Sequence, residues 1–463
     1  MAQTRDSKQS ETPEAKKPPS HGLEIAIVIV LVGLVVAALA IWAAISAPTT
    51  VPSNQTNQAN NSGNPITDGS VSPLEAKNKM TANAIATQVT GLEIPIGTTA
   101  PFPPTPTGSL ATSILDSQGV NWPVGGANPA RVRATNSKLP VTLNKLWEYE
   151  AGGEIVSSPA LVNGLLYVGT SRGLLAIEAT SGKAQWLSPV GGVASSPAVA
   201  GGRVFFGSQN GYLYAVEATT GSKQWEFPVI DAVQSSPVVV DGVVYFGGND
   251  ANLYAVDAYT GQRRWAFKVG RLNLNGINTA PAVAGGLVFF GANDGKYYAV
   301  TVGNGSKKWE FDSGSNNGTF SSPAVENGIV YFASESGKLF AVDAQTGQEK
   351  WHFALGGPSR SSPAVADGTV YIGSSDKKVY AVDAKTGAKK WDFVTGDVVF
   401  SSPAITGNLV LIGSNDAKVY ALDTATGAKK WEYTTNDVIG ASPVVAGGRL
   451  YVASFDGRIY CFG

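Results

Sequence analysis

The chain has 463 residues, 15% of them charged, with 54 glycines and a formal net charge of −1. That length allows more than one domain, and so even a charge balance offers no basic footprint for nucleic acid, which is not an expected partner. A single cysteine, Cys461, rules out any intrachain disulfide.

Residues 1–23 carry Arg5, Lys8, Lys16 and Lys17 and read as a disordered cytoplasmic tail. The stretch IAIVIVLVGLVVAALAIWAAISA, 25–47, is apolar without one charge. As a helix it spans roughly 35 Å, enough to cross the hydrocarbon core, and it is longer than the roughly 7–15 residues of a signal-peptide core. We expect an uncleaved single-pass anchor over 24–47. No cationic residue follows until Lys77, so the positive flank stays in the cytoplasm and the rest lies outside, in the periplasm or at the cell surface. The stretch HGLEIAIVIV also resembles a type IV prepilin junction with cleavage after Gly22. That family has its glutamate at the fifth mature position, whereas Glu24 would be second.

Residues 48–140 read as an extracytoplasmic linker. Its first part, up to Val71, is rich in Asn, Thr, Pro, Ser and Gly and cannot bury a core. Ser72, Pro73 and Glu75 then form a helix-start signature, so a short helix over 73–88 is expected. APFPPTPTG (100–108) is an extended spacer. Asn54, Asn60, Asn304 and Asn317 stand in Asn-x-Ser/Thr sequons.

From residue 141 the chain repeats. Trp147, Trp186, Trp225, Trp265, Trp309, Trp351, Trp391 and Trp431 recur at intervals of 39 to 44 residues. Pro159, Pro197, Pro237, Pro281, Pro323, Pro363, Pro403 and Pro443 keep the same beat, all but two directly after Ser-Ser. Each unit holds alternating runs such as SSPAVA (361–366), TVYIGS (369–374), KVYAVDA (378–384) and AKKWDF (388–393), joined by Asp-Gly, Asn-Gly or Thr-Gly. Four strands per repeat, repeated radially, predict an all-β, eight-bladed β-propeller over 141–463. The eighth unit, 441–463, lacks its tryptophan strand, while NKLWEYE (144–150) is a tryptophan strand without predecessors. The N-terminal strand should therefore complete the last blade and close the ring, leaving no open sheet edge.

The motif AVDAKTGAKKW (381–391 and its preceding strand) resembles the tryptophan-docking motif of the PQQ-type propellers. The resemblance recurs in every unit and covers about 145–463. In layout the chain is similar to the BamB-like members, which implies a non-enzymatic interaction platform. The same fold also serves quinoprotein dehydrogenases, where the resemblance would require PQQ with calcium, an adjacent Cys-Cys disulfide, an acid cluster and a catalytic Asp. One cysteine cannot supply that disulfide, so no catalytic residue, metal ligand or cofactor site is expected.

Repeat-wide residues are read as structural. Asp257, Asp343, Asp383 and Asp423, with Glu178 and Glu217, precede Thr-Gly or Ser-Gly turns and can accept N–H bonds there. Asp250, Asp294, Asp376, Asp416 and Asp456 occupy tight turns. Lys307–Lys308, Lys389–Lys390, Lys429–Lys430 and Arg263–Arg264 lie on outer edges, and Cys461 fills a slot held elsewhere by Ala381 and Ala421. His352 follows a blade tryptophan and has no second histidine near it.

Departures from the repeat are the candidate surface. The Trp-to-Pro loops of two neighbouring units, 266–281 and 310–323, are long and carry Arg271, Asn273, Asn275, Asn278 and Asn317. The residues before the Ser-Ser-Pro runs should ring the channel mouth: Val156, Ala194, Gln234, Asn278, Phe320, Arg360, Phe400 and Gly440. None is a carboxylate. Phe320, Arg360 and Phe400 fall in consecutive units, and aromatic residues with Arg are common interface anchors. The expected function is a membrane-anchored scaffold that binds another envelope protein. The alternatives are a PQQ-binding quinoprotein or small-ligand sensor, and a pilin-like filament subunit with a propeller head.

Overall fold

The computed structural model describes residues 121–270 and 276–463. The expected anchor at 24–47, the helix at 73–88, the sequons of Asn54 and Asn60, and Arg271, Asn273 and Asn275 lie outside the described residues.

Eight four-stranded antiparallel sheets form the blades, each in simple up-and-down order. Blades 1 to 7 span 160–188, 198–228, 238–268, 282–312, 324–354, 364–394 and 404–434. Blade 8 consists of Val444–Ala446, Arg449–Ala453 and Arg458–Phe462 plus the N-terminal strand Lys145–Glu150. That strand pairs antiparallel with Arg458–Phe462, Trp147 opposite Cys461, and Asn144 and Gly463 exchange backbone bonds of 3.0 Å in both directions. The ring is closed as the repeat count requires.

Blade 6 shows why the sequence folds this way. Its inner strand, Ala364–Ala366, is short because eight such strands converge on one axis. The middle strands Thr369–Gly373 and Lys378–Asp383 are buried almost throughout, since both faces of a blade are covered by its neighbours. In the outer strand Lys389–Val394 only Trp391 is buried, Asp392 and Phe393 are half-buried, and Lys389, Lys390 and Val394 are exposed, as expected of a strand with one wet face. A register shift recurs in the outer hairpin of every blade, between the residue facing the tryptophan and the next one. Such a bulge twists the outer strand and re-aims its side chains.

The tryptophan is aimed at the next blade. Trp351 Nε1 donates to Ala384 O in the Thr-Gly turn of blade 6 at 3.1 Å, and the same bond runs from Trp147 to Ala179 and from Trp391 to Thr424. The glycine of each Thr-Gly turn lies against the ring: a Cβ on Gly387 (φ +74) would come within 2.8 Å of Trp351 Cδ2. Glycine therefore serves two needs there, left-handed backbone and closeness. At the blade 7–8 junction no such turn exists, because the outer strand of blade 8 comes from the other end of the chain. Trp431 instead donates to Leu143 O at 3.1 Å and packs edge-on against Phe462.

The turn acids behave as local structure. Asp383 Oδ1 accepts from the N–H groups of Lys385 and Thr386 and from Thr386 Oγ1. Asp250, Asp294, Asp416 and Asp456 each accept from the tyrosine four residues on, at 2.5 to 2.6 Å, and Asp376 does the same with Tyr380. The edge lysines are engaged within their own blades, as in Lys389–Asp392 and Lys429–Glu432. His352 Nδ1 lies 2.7 Å from Glu349. Cys461 is fully buried, and desolvation pushes its thiol up to about 12.

Candidate functional site: a plugged channel and its mouth

Ser-Ser-Pro builds the channel wall. The first serine closes its own blade: Ser157 Oγ accepts from Gly169 N and donates to Gly169 O. The second joins blades. Its Oγ accepts the N–H of its counterpart one blade earlier, from Ser158 to Ser196, Ser196 to Ser236, Ala280 to Ser322, Ser322 to Ser362, Ser362 to Ser402, Ser402 to Ser442 and Ser442 back to Ser158. Blade 4 breaks the circle, since Ala280 has no hydroxyl to offer Ser236.

The channel inside this wall is filled by residues 122–137, a stretch whose composition assigns it to the linker. Trp122 exchanges two backbone bonds with Leu161 of blade 1. The carbonyls of Pro123, Pro129, Ala130, Val132 and Arg133 then accept, at 2.8 to 2.9 Å, from Val199, Val283, Val325, Val365 and Ile405 of blades 2, 4, 5, 6 and 7. These donors are equivalent positions, the middle residue of each inner strand. Ala134–Thr135 continues as a short parallel strand beside Ala404–Thr406, and Ser137 Oγ accepts from Gly448 N of blade 8 at 2.9 Å. The central inner-strand N–H groups of blades 1, 2, 4, 5, 6 and 7 are thus paired with protein.

Two arginines come with the segment. Arg131 fills the break at blade 4: Nε donates to Pro281 O at 2.7 Å and Nη2 to Ser236 O at 3.2 Å. Arg133 N reaches back to Gly126 O, folding VGGANPARVR into a tight loop. Any Cβ on Gly126 would lie 2.7 Å from Arg131 Cβ. Ala127, Arg131 and Arg133 all have left-handed backbone, with φ of 67°, 59° and 57°. Both arginines are buried, 2% and 5% exposed. Burial lowers the pKa of Arg131 to about 9, with Arg133 adding repulsion, and of Arg133 to about 10, so both remain cationic at neutral pH.

The segment enters and leaves on one face. Asn121 Oδ1 accepts from Asn163 N, in the turn after the inner strand of blade 1, and Gly448 lies in the equivalent turn of blade 8. The Ser-Ser-Pro ends of the inner strands open on the opposite face. There Arg360 is stacked between two phenyl rings, 4.7 Å from the centroid of Phe320 and 5.5 Å from that of Phe400. Arg360 Nε donates to Glu335 Oε1 at 2.9 Å. The arginine side chain is 51% exposed and the glutamate 10%. Sequence reasoning places the three mouth residues together but misses Glu335, which stands in the turn SESG where other units carry their acid one residue later. Asn278 is half-buried and its Oδ1 has no partner. Asn317 is exposed and its N–H donates to Ser315 Oγ within its own turn. Arg131, Arg133 and Trp122 were also missed; their one signal is two arginines and a tryptophan in an otherwise uncharged Gly/Pro stretch.

Among the described residues no three His, Cys, Asp or Glu side chains come together as a metal ion needs. The donor set that the PQQ-and-calcium site calls for does not fit these residues: the one cysteine is buried in blade 8 and the mouth carboxylate is spent on Arg360.

The fold and its wall define an eight-bladed propeller of PQQ-like repeats with an inserted segment in its channel. The family model for outer membrane protein assembly factor BamB matches residues 131–323 and 311–463. That is more than half of the chain, and the chain belongs to this family. Among solved structures, BamB from Moraxella catarrhalis is similar over 69% of this chain and 97% of its own, at 20% identity and a TM-score of 0.60. Quinohemoprotein alcohol dehydrogenase from Comamonas testosteroni aligns over 74% of this chain and 80% of its own, at 16% identity and a TM-score of 0.65. At such identities the likeness concerns the fold alone. Serine/threonine-protein kinase AfsK from Streptomyces griseus is 33% identical over 110 residues, 21% of this chain, and the match spans 13% of the kinase.

Proposed function

We propose that the protein is a non-enzymatic interaction scaffold of the cell envelope, anchored by 24–47, with the propeller outside the membrane and the Phe320–Arg360–Phe400 mouth as its docking face. The observation that carries this is the stack itself. An arginine held between two aromatic rings and oriented by a nearly buried glutamate has already lost most of its side-chain freedom, which lowers the entropic cost of binding. Aromatic and arginine side chains of this kind dominate measured interface energies.

The test is co-purification from native membranes of the unmodified protein and of a Phe320→Ala/Phe400→Ala variant. The proposal expects a reproducible protein partner whose recovery falls at least tenfold in the variant at unchanged thermal stability. Equal recovery from both would remove the mouth as the docking face.

A further inference from the structure

We propose that the central channel binds one small oxyanion, of the class of inorganic phosphate, sulfate or a short carboxylate, between Arg131 and Arg133. This goes beyond the scaffold function and does not depend on it. The first observation is Arg133: it is 5% exposed, and its Nε and Nη1 are buried without any hydrogen-bond partner. A guanidinium carries five donors and a charge that never leaves it at neutral pH. Buried charges are otherwise paired, because desolvation without a partner is costly.

The second observation is the surroundings. Arg131 meets only backbone carbonyls, those of Pro281 and Ser236. Among the described residues the arginine ion pairs are those of Arg264, Arg360 and Arg458, so neither channel arginine has a carboxylate. Two like charges, both buried and two residues apart in one tight loop, have no anion from the described chain. The backbone is bent to hold them there, with both residues in left-handed conformation and Gly126 leaving room for Arg131. Planar guanidinium forks match oxyanions by geometry as well as charge. A bound oxyanion would neutralise the pair and lock the inserted segment to the ring at blade 4, where the serine circle is broken.

The test uses the full chain in detergent, dialysed into dilute Bis-Tris–HCl, a buffer free of oxyanions, without added salt. Sodium phosphate, sodium sulfate and sodium acetate are each titrated by calorimetry, and exchange broadening of the phosphate ³¹P resonance provides a second readout on the unmodified protein. The proposal expects saturable binding of one anion per chain, displaced by a second oxyanion. It expects at least tenfold weaker binding in Arg133→Gln and unchanged binding in the outer-edge variant Arg263→Gln, whose side chain is exposed. Binding of none of the three, meaning that water alone fills the site, would overturn it. So would saturable binding that Arg133→Gln leaves intact. If Arg133→Gln fails to fold, the ³¹P result and its competition by sulfate on the unmodified protein decide.

Discussion

Replacing Gly387 and Gly368 separately by alanine measures what the tryptophan ring contributes. Both glycines have left-handed backbone, φ +74 and +68, so an L-residue costs about 1–2 kcal/mol at either site. At Gly368 a Cβ meets nothing within 4 Å, and that is the whole cost. At Gly387 the Cβ lands 2.8 Å from Trp351 Cδ2 and 3.0 Å from Cε3, so the indole must move. Overpacking costs roughly 1–3 kcal/mol, and pulling Trp351 Nε1 off Ala384 O forfeits about 1 kcal/mol more. Gly387→Ala should therefore be about 2–4 kcal/mol worse than Gly368→Ala. In a domain of this size 1 kcal/mol moves Tm by roughly 1–2 °C, so the two variants should separate by about 2–8 °C in a thermal melt followed by tryptophan fluorescence. Equal shifts would refute the claim that indole docking, rather than turn geometry, fixes glycine there.

Ser402→Ala removes the acceptor of Ser362 N, 2.9 Å away and buried, and should cost about 1–3 kcal/mol, read as a lower midpoint in urea. Cys461 should resist maleimide in the native state and react fully once unfolded. Its raised pKa also fixes a sign. The unfolded thiol loses its proton near 9 while the folded one holds it to about 12, so the group's contribution to stability falls as pH rises through that window, and Cys461→Ala should flatten the alkaline limb. Glu310 is held down to about 2 by hydrogen bonds from Lys296 and Lys307. Its contribution is present above the ordinary carboxylate pKa and is lost as pH falls towards 2. The effect should be small because the side chain is 38% exposed, and Glu310→Gln should remove it from an acid titration of Tm.

The blades were legible in the sequence because the residues that build them repeat. Trp391, Gly387, Asp383 and Ser361–Ser362 each serve a contact that most blades make again some forty residues later, so period alone exposes them. Lys145–Glu150 was legible as the closing strand because it is the one tryptophan strand with no blade of its own. Residues 122–137 were not legible, for a physical reason. Their bonds to the ring are spread over successive blades, mostly through backbone carbonyls, so Pro129 and Ala130 need no particular side chain and leave no pattern. Arg131 fits a gap defined by Ala280, about 150 residues away. Phe320, Arg360 and Phe400 could be placed at one mouth by counting from the prolines, but Glu335 could not, since its approach depends on how a turn of blade 5 leans towards blade 6.

The measurement that bears most directly on the scaffold proposal is site-specific photo-cross-linking in native membranes. A photoreactive residue replaces Phe400 at the mouth or, as the comparison, Asn163 on the face where the chain enters. The proposal predicts one discrete heterologous adduct from position 400 and none from 163. Adducts from 163 alone, or only between copies of this chain, would contradict it.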